Sequence, residues 1–380
     1  MHRKSIYSLL FAVAILVVVG IVMLFSISPF APDSHGDSFF FVKRQSMWLG
    51  FGILACIGTS LLDYHFWQRT WKIWFFVSAI LLVLCFVPHI GLRINGASRW
   101  VGLGPIRFQP SDFAKLASIA FLAHWFSKYE VESKQFLKGF VYPMAIVGVL
   151  MALIAREIDM GTTALIGGTM LVVMFVAGTG WRYLIPLALL ALSGIIFIGK
   201  HLKGRSERIL AFLDLEKYKE TSGLQQYQAL IAFGSGGVDG LGLGNSRQKM
   251  LYLPFAHTDF IFPMIGEELG LRCTLLIVFC YLIIVVSGTI ISMQARDRFG
   301  MLLGFGIVVL LALQAALNIA VTTALLPNKG LPLPFISYGG SNLAFCMLGV
   351  GILINIYRNG VADKPDRVNV RTRARVTPRI

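Results

Sequence analysis

The sequence is poor in charge. Only 14% of its 380 residues are Asp, Glu, Lys or Arg, against about 25% in an average soluble domain. With 56% hydrophobic residues and a mean hydropathy of +0.72, a soluble globule is excluded, because it would expose far too much apolar surface. Cysteine is scarce too. Cys56, Cys85, Cys273, Cys280 and Cys346 all fall inside apolar runs. Cysteine there acts as a small hydrophobe, so no disulfides are expected. The seven histidines show no metal-ligand spacing, which argues against a zinc site. No strand precedes the glycine-rich stretch and no Gly-Lys-Ser/Thr closes it, so P-loop and dinucleotide readings fail. No segment repeats at a fixed period, and the paired Gly/Pro-broken spans of an inverted-repeat transporter are not evident.

What is present is a series of long apolar runs. The net charge of +15 sits in short blocks between them and at the C-terminus, with no basic helix face carrying interleaved aromatics. That pattern fits topology control and anionic lipid headgroups rather than nucleic acid. The first run, from Ser5 to Leu24, exceeds a signal-peptide core of roughly 7–15 residues, and no small-residue cleavage site follows it. It reads as the first span. A transmembrane helix needs about 20 apolar residues. On that rule the fold is an all-α polytopic membrane protein of about ten transmembrane helices. They are placed at 5–26, 46–62, 73–89, 111–127, 139–155, 162–178, 182–200, 260–292, 300–324 and 337–357. A large outer loop, about 201–259, separates the seventh from the eighth. Residues 1–357 form one transmembrane domain, and 358–380 form a basic tail expected to be disordered.

Lys and Arg crowd one set of segments: Arg3 and Lys4, Arg69 and Lys72, Lys128, Lys134 and Lys138, Arg296 and Arg298, and the tail. By the positive-inside rule both termini are cytoplasmic. Loops 90–110, 156–161, 201–259 and 325–340 then share the outer face.

Ionisable residues at membrane depth are functional candidates by default, and four places stand out. In the first, Asn95-Gly-Ala-Ser-Arg-Trp100 precedes Gln109-Pro-Ser-Asp112 and Lys115. Ser111 fits an N-cap with Asp112 in the first helical turn. Lys115, three residues on, either pairs with Asp112 or meets a phosphate. Arg99 beside Trp100 is either an interface anchor or a bidentate holder of an anionic headgroup. In the second, Arg156-Glu-Ile-Asp159 is either a local ion network or the lining of a polar cavity. The third is the exit of the long loop, with its glycines and His257-Thr-Asp259. Asp259 and Thr258 read either as caps of the eighth span or, for Asp259, as a general base next to His257. A carboxylate shielded from water has a raised pKa suited to deprotonating a sugar hydroxyl. Glu267 and Glu268 follow deeper, with Arg272 as the candidate partner of Glu268. In the fourth, Ser337 and Ser341 either cap the last span or contact a ligand at its N-terminus.

These residues carry a resemblance. Gly96-Ala-Ser-Arg-Trp100, Phe108-Gln-Pro-Ser-Asp-Phe-Ala-Lys115, Asp159-Met-Gly-Thr162, His257-Thr-Asp-Phe-Ile-Phe262, Gly266-Glu-Glu-Leu-Gly270 and Ile336-Ser-Tyr-Gly-Gly-Ser341 resemble the SEDS (shape, elongation, division and sporulation) family. The matches run in family order from about residue 41 to 357. The stretch Gly234-Ser-Gly-Gly through Gly242-Leu-Gly-Asn-Ser-Arg-Gln-Lys249 looks FtsW-like more than RodA-like. Phe255 stands where Glu is usual, Asp112 where Glu is usual, Asn342 where Ser is common, and Pro263 where Ala is common.

The resemblance implies a peptidoglycan glycosyltransferase that polymerises lipid II at the outer face of the cytoplasmic (inner) membrane and releases undecaprenyl pyrophosphate. It implies a class B penicillin-binding protein transpeptidase and other divisome proteins as partners. By the same carry-over Asp259 matches the essential acid. Arg44, Arg99, Trp100, Lys115 and Asp159 match positions around an outward-facing cavity, and His257 and Ser337 are added as substrate contacts. No protein metal cage is expected; a divalent cation (Mg or Mn) would come with the pyrophosphate. Two rivals stand beside this reading. A lipid II flippase would need ionisable residues reaching the inner half of the bundle, whereas the candidates cluster at the outer side. A non-catalytic scaffold for a transpeptidase has little use for a buried Lys115.

Overall fold

The computed structural model describes residues 2–30, 37–94, 97–103, 106–201, 206–250 and 252–362. Asn95 and Gly96 of the first motif, part of the long loop, and the tail from residue 363 lie outside the described residues. Each expected span is met by a helix: α1 His2–Ile27, α2 Phe40–Leu61, α3 His65–Leu84, α4 Pro110–Lys128, α5 Tyr142–Arg156, α6 Met160–Val176, α7 Trp181–His201, α10 Ile261–Met293, α11 Arg298–Thr322 and α12 Gly340–Ala362. A wide π turn, Leu137–Val141, leads into α5. Five of the helical segments are apolar and long enough to cross a membrane by length and composition alone. Among the others, α2, α3 and α4 carry Lys, Arg or Asp within the helix and α6 is short.

Several boundaries differ from the reading of the sequence. α2 begins at Phe40 and α3 at His65, well before the apolar runs at 46 and 73. Hydropathy marks what sits in hydrocarbon, whereas the backbone ladder continues through Lys43, Arg44, Arg69 and Lys72 into the interface. α4 starts at Pro110, with Gln109 as N-cap and no side-chain cap bond, so Ser111 is not the cap. α12 runs to Ala362, past residue 357 where the basic tail was expected to begin. The long loop is not all loop: it contains α8 (Ser206–Leu213) and α9 (Leu224–Gly236).

Loop 90–110 folds as a three-stranded antiparallel sheet, β1 (Gly91–Ile94), β2 (Ala97–Leu103) and β3 (Ile106–Phe108). Leu92 pairs with Trp100 and Gly102 with Arg107. The strands are too short for a period-2 pattern to be legible. Alternation along β2 puts Arg99 and Trp100 on opposite faces.

The core gathers around α4, most of whose residues are buried, with α3, α6, α11 and α12 packed about it. In lipid the hydrophobic effect does not draw helices together, so close packing of small residues and interhelical hydrogen bonds carry more of the association. At Gly351 of α12 a Cβ would run into Thr59 and the Cys56 carbonyl of α2. The Thr59 hydroxyl lies 3.2 Å from the Leu348 carbonyl across that contact.

α10 is 33 residues long, more than the ~30 Å of hydrocarbon requires. It is broken at Gly270, where φ is +74° and ψ −175°, a conformation essentially reserved for glycine. The loop 237–242 fills the break. Leu241 N–H donates to the Glu267 carbonyl (2.9 Å) and Gly242 N–H to the Glu268 carbonyl (3.0 Å), while Leu271 N–H donates to the Gly237 carbonyl (3.0 Å). Irregular backbone at such a depth is tolerated only where protein supplies its partners.

Candidate functional site

Asp259 lies in the last turn of chain before α10. The N-cap of α10 is Phe260, with no side-chain cap bond, so the capping reading of Asp259 and Thr258 fails. Thr258 Oγ1 instead bonds the Phe255 carbonyl at 3.2 Å. Phe255, where the family usually has Glu, is exposed and left-handed at φ +59°. Among the described residues no hydrogen bond engages the Asp259 carboxylate. Its backbone is held from α11, where Asn318 Nδ2 donates to the Asp259 carbonyl at 2.8 Å and to the Leu331 carbonyl at 2.7 Å. The carboxylate packs on Gly330, where any Cβ would overlap it. Burial pushes its pKa up to about 6, Asp159 adds to the rise, and Arg99 opposes it. The side chain is therefore half-buried, uncommitted and poised near neutrality.

Arg99 reaches from β2 to the turn between α5 and α6, where its Nη2 donates to the Ile158 carbonyl at 2.6 Å. Ile158 is left-handed, with φ +67°, which turns the flanking acids inward. Asp159 caps α6: Oδ1 accepts from Thr162 N–H at 3.1 Å and Oδ2 from the Thr162 hydroxyl at 2.9 Å. Gln109 Nε2 adds a bond at 3.2 Å. Asp159 thus has a structural duty that accounts for its burial, while its charge is felt at Asp259. Glu157, which the sequence offered only as one of a local charge cluster, is 1% exposed. Its carboxylate oxygens have no partner beyond the weak donor of the Cys85 thiol. Burial is the first cause that raises its pKa to about 8.

His257 is buried and stacks on Phe41 of α2, with ring centroids 4.4 Å apart. Its carbonyl accepts from Tyr338 N–H at 3.0 Å. The imidazole thus belongs to an aromatic wall beside Asp259. Arg44, on the same end of α2, lies over the Phe40 ring at 4.5 Å. Ser337 is occupied: its Oγ accepts from Leu333 N–H at 2.7 Å, and its carbonyl accepts from Gln45 Nε2 at 3.1 Å. It shapes the 331–339 loop and caps no helix. Trp100 is half-buried, on the strand face away from Arg99.

Lys115 sits deeper. Its ammonium lies 2.8 Å from Asp112 Oδ1, with both side chains almost fully buried, and 3.3 Å from Gln314 Oε1. The Ser341 hydroxyl donates to Asp112 Oδ2 at 2.7 Å. Gln314 Nε2 continues to the Pro332 carbonyl (2.8 Å) and Asn342 Oδ1 (2.9 Å). The pairing of Asp112 with Lys115 that the spacing suggested is present. In this arrangement Asp112 compensates the Lys115 charge within the bundle. A small cavity adjoins this network, lined in part by Lys115, Gln314 and Asn342.

Glu268 does not pair with Arg272. Its partner is Lys249 at 2.9 Å, with neither side chain exposed. Arg272 faces outward and pairs with Asp239 at 2.7 Å. The break at Gly270 rotates Arg272 away, which voids the helical spacing. Glu267 accepts from the Ser246 hydroxyl and from Arg247 N–H at 3.0 Å. The two acids therefore bind the long loop to α10.

Sequence reasoning overlooked the amides. Gln314 and Asn318 are four residues apart on α11, and Gln226 of α9 donates to the Val321 and Leu326 carbonyls at 2.8 and 2.7 Å. Two amides at that spacing in an apolar span were a usable signal of interhelical bonding. Among the described residues no group of three or more His, Cys, Asp or Glu could hold a metal ion.

The comparisons with known proteins agree with one another. A relative from Geobacter sp. (strain M18), named probable peptidoglycan glycosyltransferase FtsW, is 41% identical over 360 residues, covering 94% of this chain and 98% of its own length. Stage V sporulation protein E of Bacillus subtilis is 39% identical over 346 residues, covering 90% and 94%. The fold matches a chain solved in work on the structural coordination of polymerization and crosslinking by a peptidoglycan synthase complex. That match has a TM-score of 0.79 and 27% identity, and covers 94% of this chain and 98% of that one. The rod shape determining protein RodA of Thermus thermophilus matches with a TM-score of 0.69 at 26% identity, covering 93% and 96%. The pattern of the cell cycle protein family that unites FtsW, RodA and SpoVE covers residues 7–361, and the chain belongs to that family, as an FtsW-like multi-pass membrane protein.

Proposed function

We propose that the chain is a peptidoglycan glycosyltransferase serving cell division, polymerising lipid II at the outer face of the cytoplasmic membrane with both termini inside the cell. The observation that carries this reading is Asp259. It is a half-buried carboxyl with no capping duty and no hydrogen-bond partner among the described residues, raised to about 6, with Arg99 as the nearby cation. A general base works best with a pKa near the operating pH. The 4-hydroxyl of the acceptor N-acetylglucosamine attacks the anomeric carbon of a lipid-linked donor. A glycosidic C–O bond forms, the bond to undecaprenyl pyrophosphate breaks, and the hydroxyl proton passes to Asp259. Arg99 faces the negative charge that grows on the leaving group, with Arg44 at the rim. Lys115 and Ser337 hold the walls in place, and His257 belongs to the aromatic wall beside the base. Lipid tails lie between helices, which explains why the enzyme must be embedded.

The names of the curated relatives support the activity. The synthase complex in which the structural neighbour occurs, described as coordinating polymerization and crosslinking, supports a crosslinking class B penicillin-binding protein as partner; other divisome proteins belong to the proposed division role. The test is polymerisation of labelled lipid II by the purified chain with its transpeptidase. Asp259→Asn should produce no glycan strands at normal expression and partner binding. Full polymerisation by that variant would overturn the role of Asp259. Lipid II transport into vesicles without any polymer would favour a flippase.

A further inference from the structure

Two under-partnered side chains, a guanidinium and a carboxyl, flank Ile158. Arg99 uses one Nη on the Ile158 carbonyl, but its Nε is sealed from solvent and has no partner. Glu157 is 1% exposed, and its carboxylate oxygens have no partner beyond the weak donor of the Cys85 thiol beside them. Unmade interactions of this kind are rare in folded proteins and call for a reason. A carboxylate buried without a partner is costly, whereas the neutral acid is tolerated. The groups that face Glu157 are the Cys85 thiol at the end of α3, Arg99 of β2 and Asp159 in its own turn. Arg156 turns away, onto the Phe86 ring. Arg99 is the one cation among these groups, and Asp259 senses the same guanidinium.

We propose that Glu157 is a positioning residue for Arg99: as a neutral acid it leaves the guanidinium free to meet the anionic leaving group, and as a carboxylate it draws the guanidinium onto itself. The proposal rests on the reading of Arg99 as the group that faces pyrophosphate. The sign follows from chemistry. Glu157 is raised to about 8, so it is neutral below that pH and ionised above it. Polymerisation falls on the alkaline side as Arg99 is captured.

Two experiments test this. In the first, the pH–rate profile of lipid II polymerisation is measured for the full chain with its partner. The wild type loses rate about tenfold by one to two pH units above the midpoint, as a single titration dictates, and Glu157→Gln loses that limb while keeping the acid limb. An unchanged alkaline limb in Glu157→Gln overturns the proposal. In the second, infrared spectra of the substrate-free protein follow the protonated-carboxyl band with pH. Wild type shows a band titrating near 8 that Glu157→Gln lacks, and Arg99→Gln moves its midpoint upward. A midpoint unmoved by Arg99→Gln shows the two groups uncoupled and overturns the proposal without recourse to activity. Absence of polymerisation by the wild type at every pH counts against the glycosyltransferase reading instead, and the infrared result then decides whether Arg99 and Glu157 are coupled.

Discussion

Asn318 of α11 holds the carbonyl of Asp259, 59 residues away in sequence, with a bond of 2.8 Å, and the same amide nitrogen bonds the Leu331 carbonyl at 2.7 Å. One side chain thus fixes the height of Asp259 relative to the loop whose Gly330 it packs against. Asn318→Leu leaves two carbonyls short of a donor, at about 1–3 kcal/mol each where they stay dry. The expected result is a polymerisation rate lowered by tenfold or more, with a lower melting temperature in detergent. An unchanged rate would show that the base is placed by something else.

Asp259 itself sets an acid limb. Its pKa of about 6 means that the base form is lost as pH falls through 6, so the rate should drop about tenfold per unit below that point. A raised carboxyl pKa also means that the ionised form is disfavoured in the folded state, a cost fully present above pH 6 and relieved progressively as pH falls from 6 to the unfolded value near 3.8. Asp259→Asn should therefore be inactive yet melt no lower than the wild type at pH 7.5. A clear fall in melting temperature would assign the carboxylate a structural partner.

Lys249 and Glu268 form an ion pair with no exposed surface. Removing one partner strands a charge, at about 3–5 kcal/mol, whereas replacing both with apolar residues is often nearly neutral. Lys249→Met alone should cost heavily in thermal stability, and Lys249→Met with Glu268→Leu should recover most of the loss. Simple additivity of the two single effects in a double-mutant cycle would contradict the pairing.

Gly270→Ala should prevent accumulation of monodisperse protein, because a Cβ at Gly270 collides with the Val238 carbonyl and the Gly240 amide. Gly58→Ala is the control: nothing lies within 4 Å of its added Cβ. Size-exclusion profiles of the two variants make the comparison, and equal yields would sink the argument.

Helix positions were legible because hydrocarbon imposes one rule on every span. Asp112 and Lys115 were legible because both lie on one regular helix three residues apart. The rest depends on irregular backbone. Arg272 sits four residues from Glu268 in sequence, yet the Gly270 break sends it outward, and Lys249 arrives from the long loop instead. Arg99 and Glu157 come within electrostatic reach because a small sheet and a left-handed Ile158 bring two loops together, and neither leaves a hydropathy signature. Asp159 shows the opposite case: its residue type suggested chemistry, and its hydrogen bonds give it a cap as well.

The clasp at Gly270 has a mechanical consequence. The N-terminal part of α10, before the break, shares backbone bonds with 237–242 and side-chain bonds with 244–249, so loop and half-helix are tied into one unit. Asp259 is chained to the outer end of that piece. On the proposed topology, a partner that grips the long loop would therefore hold a handle on Asp259, two residues before the start of α10.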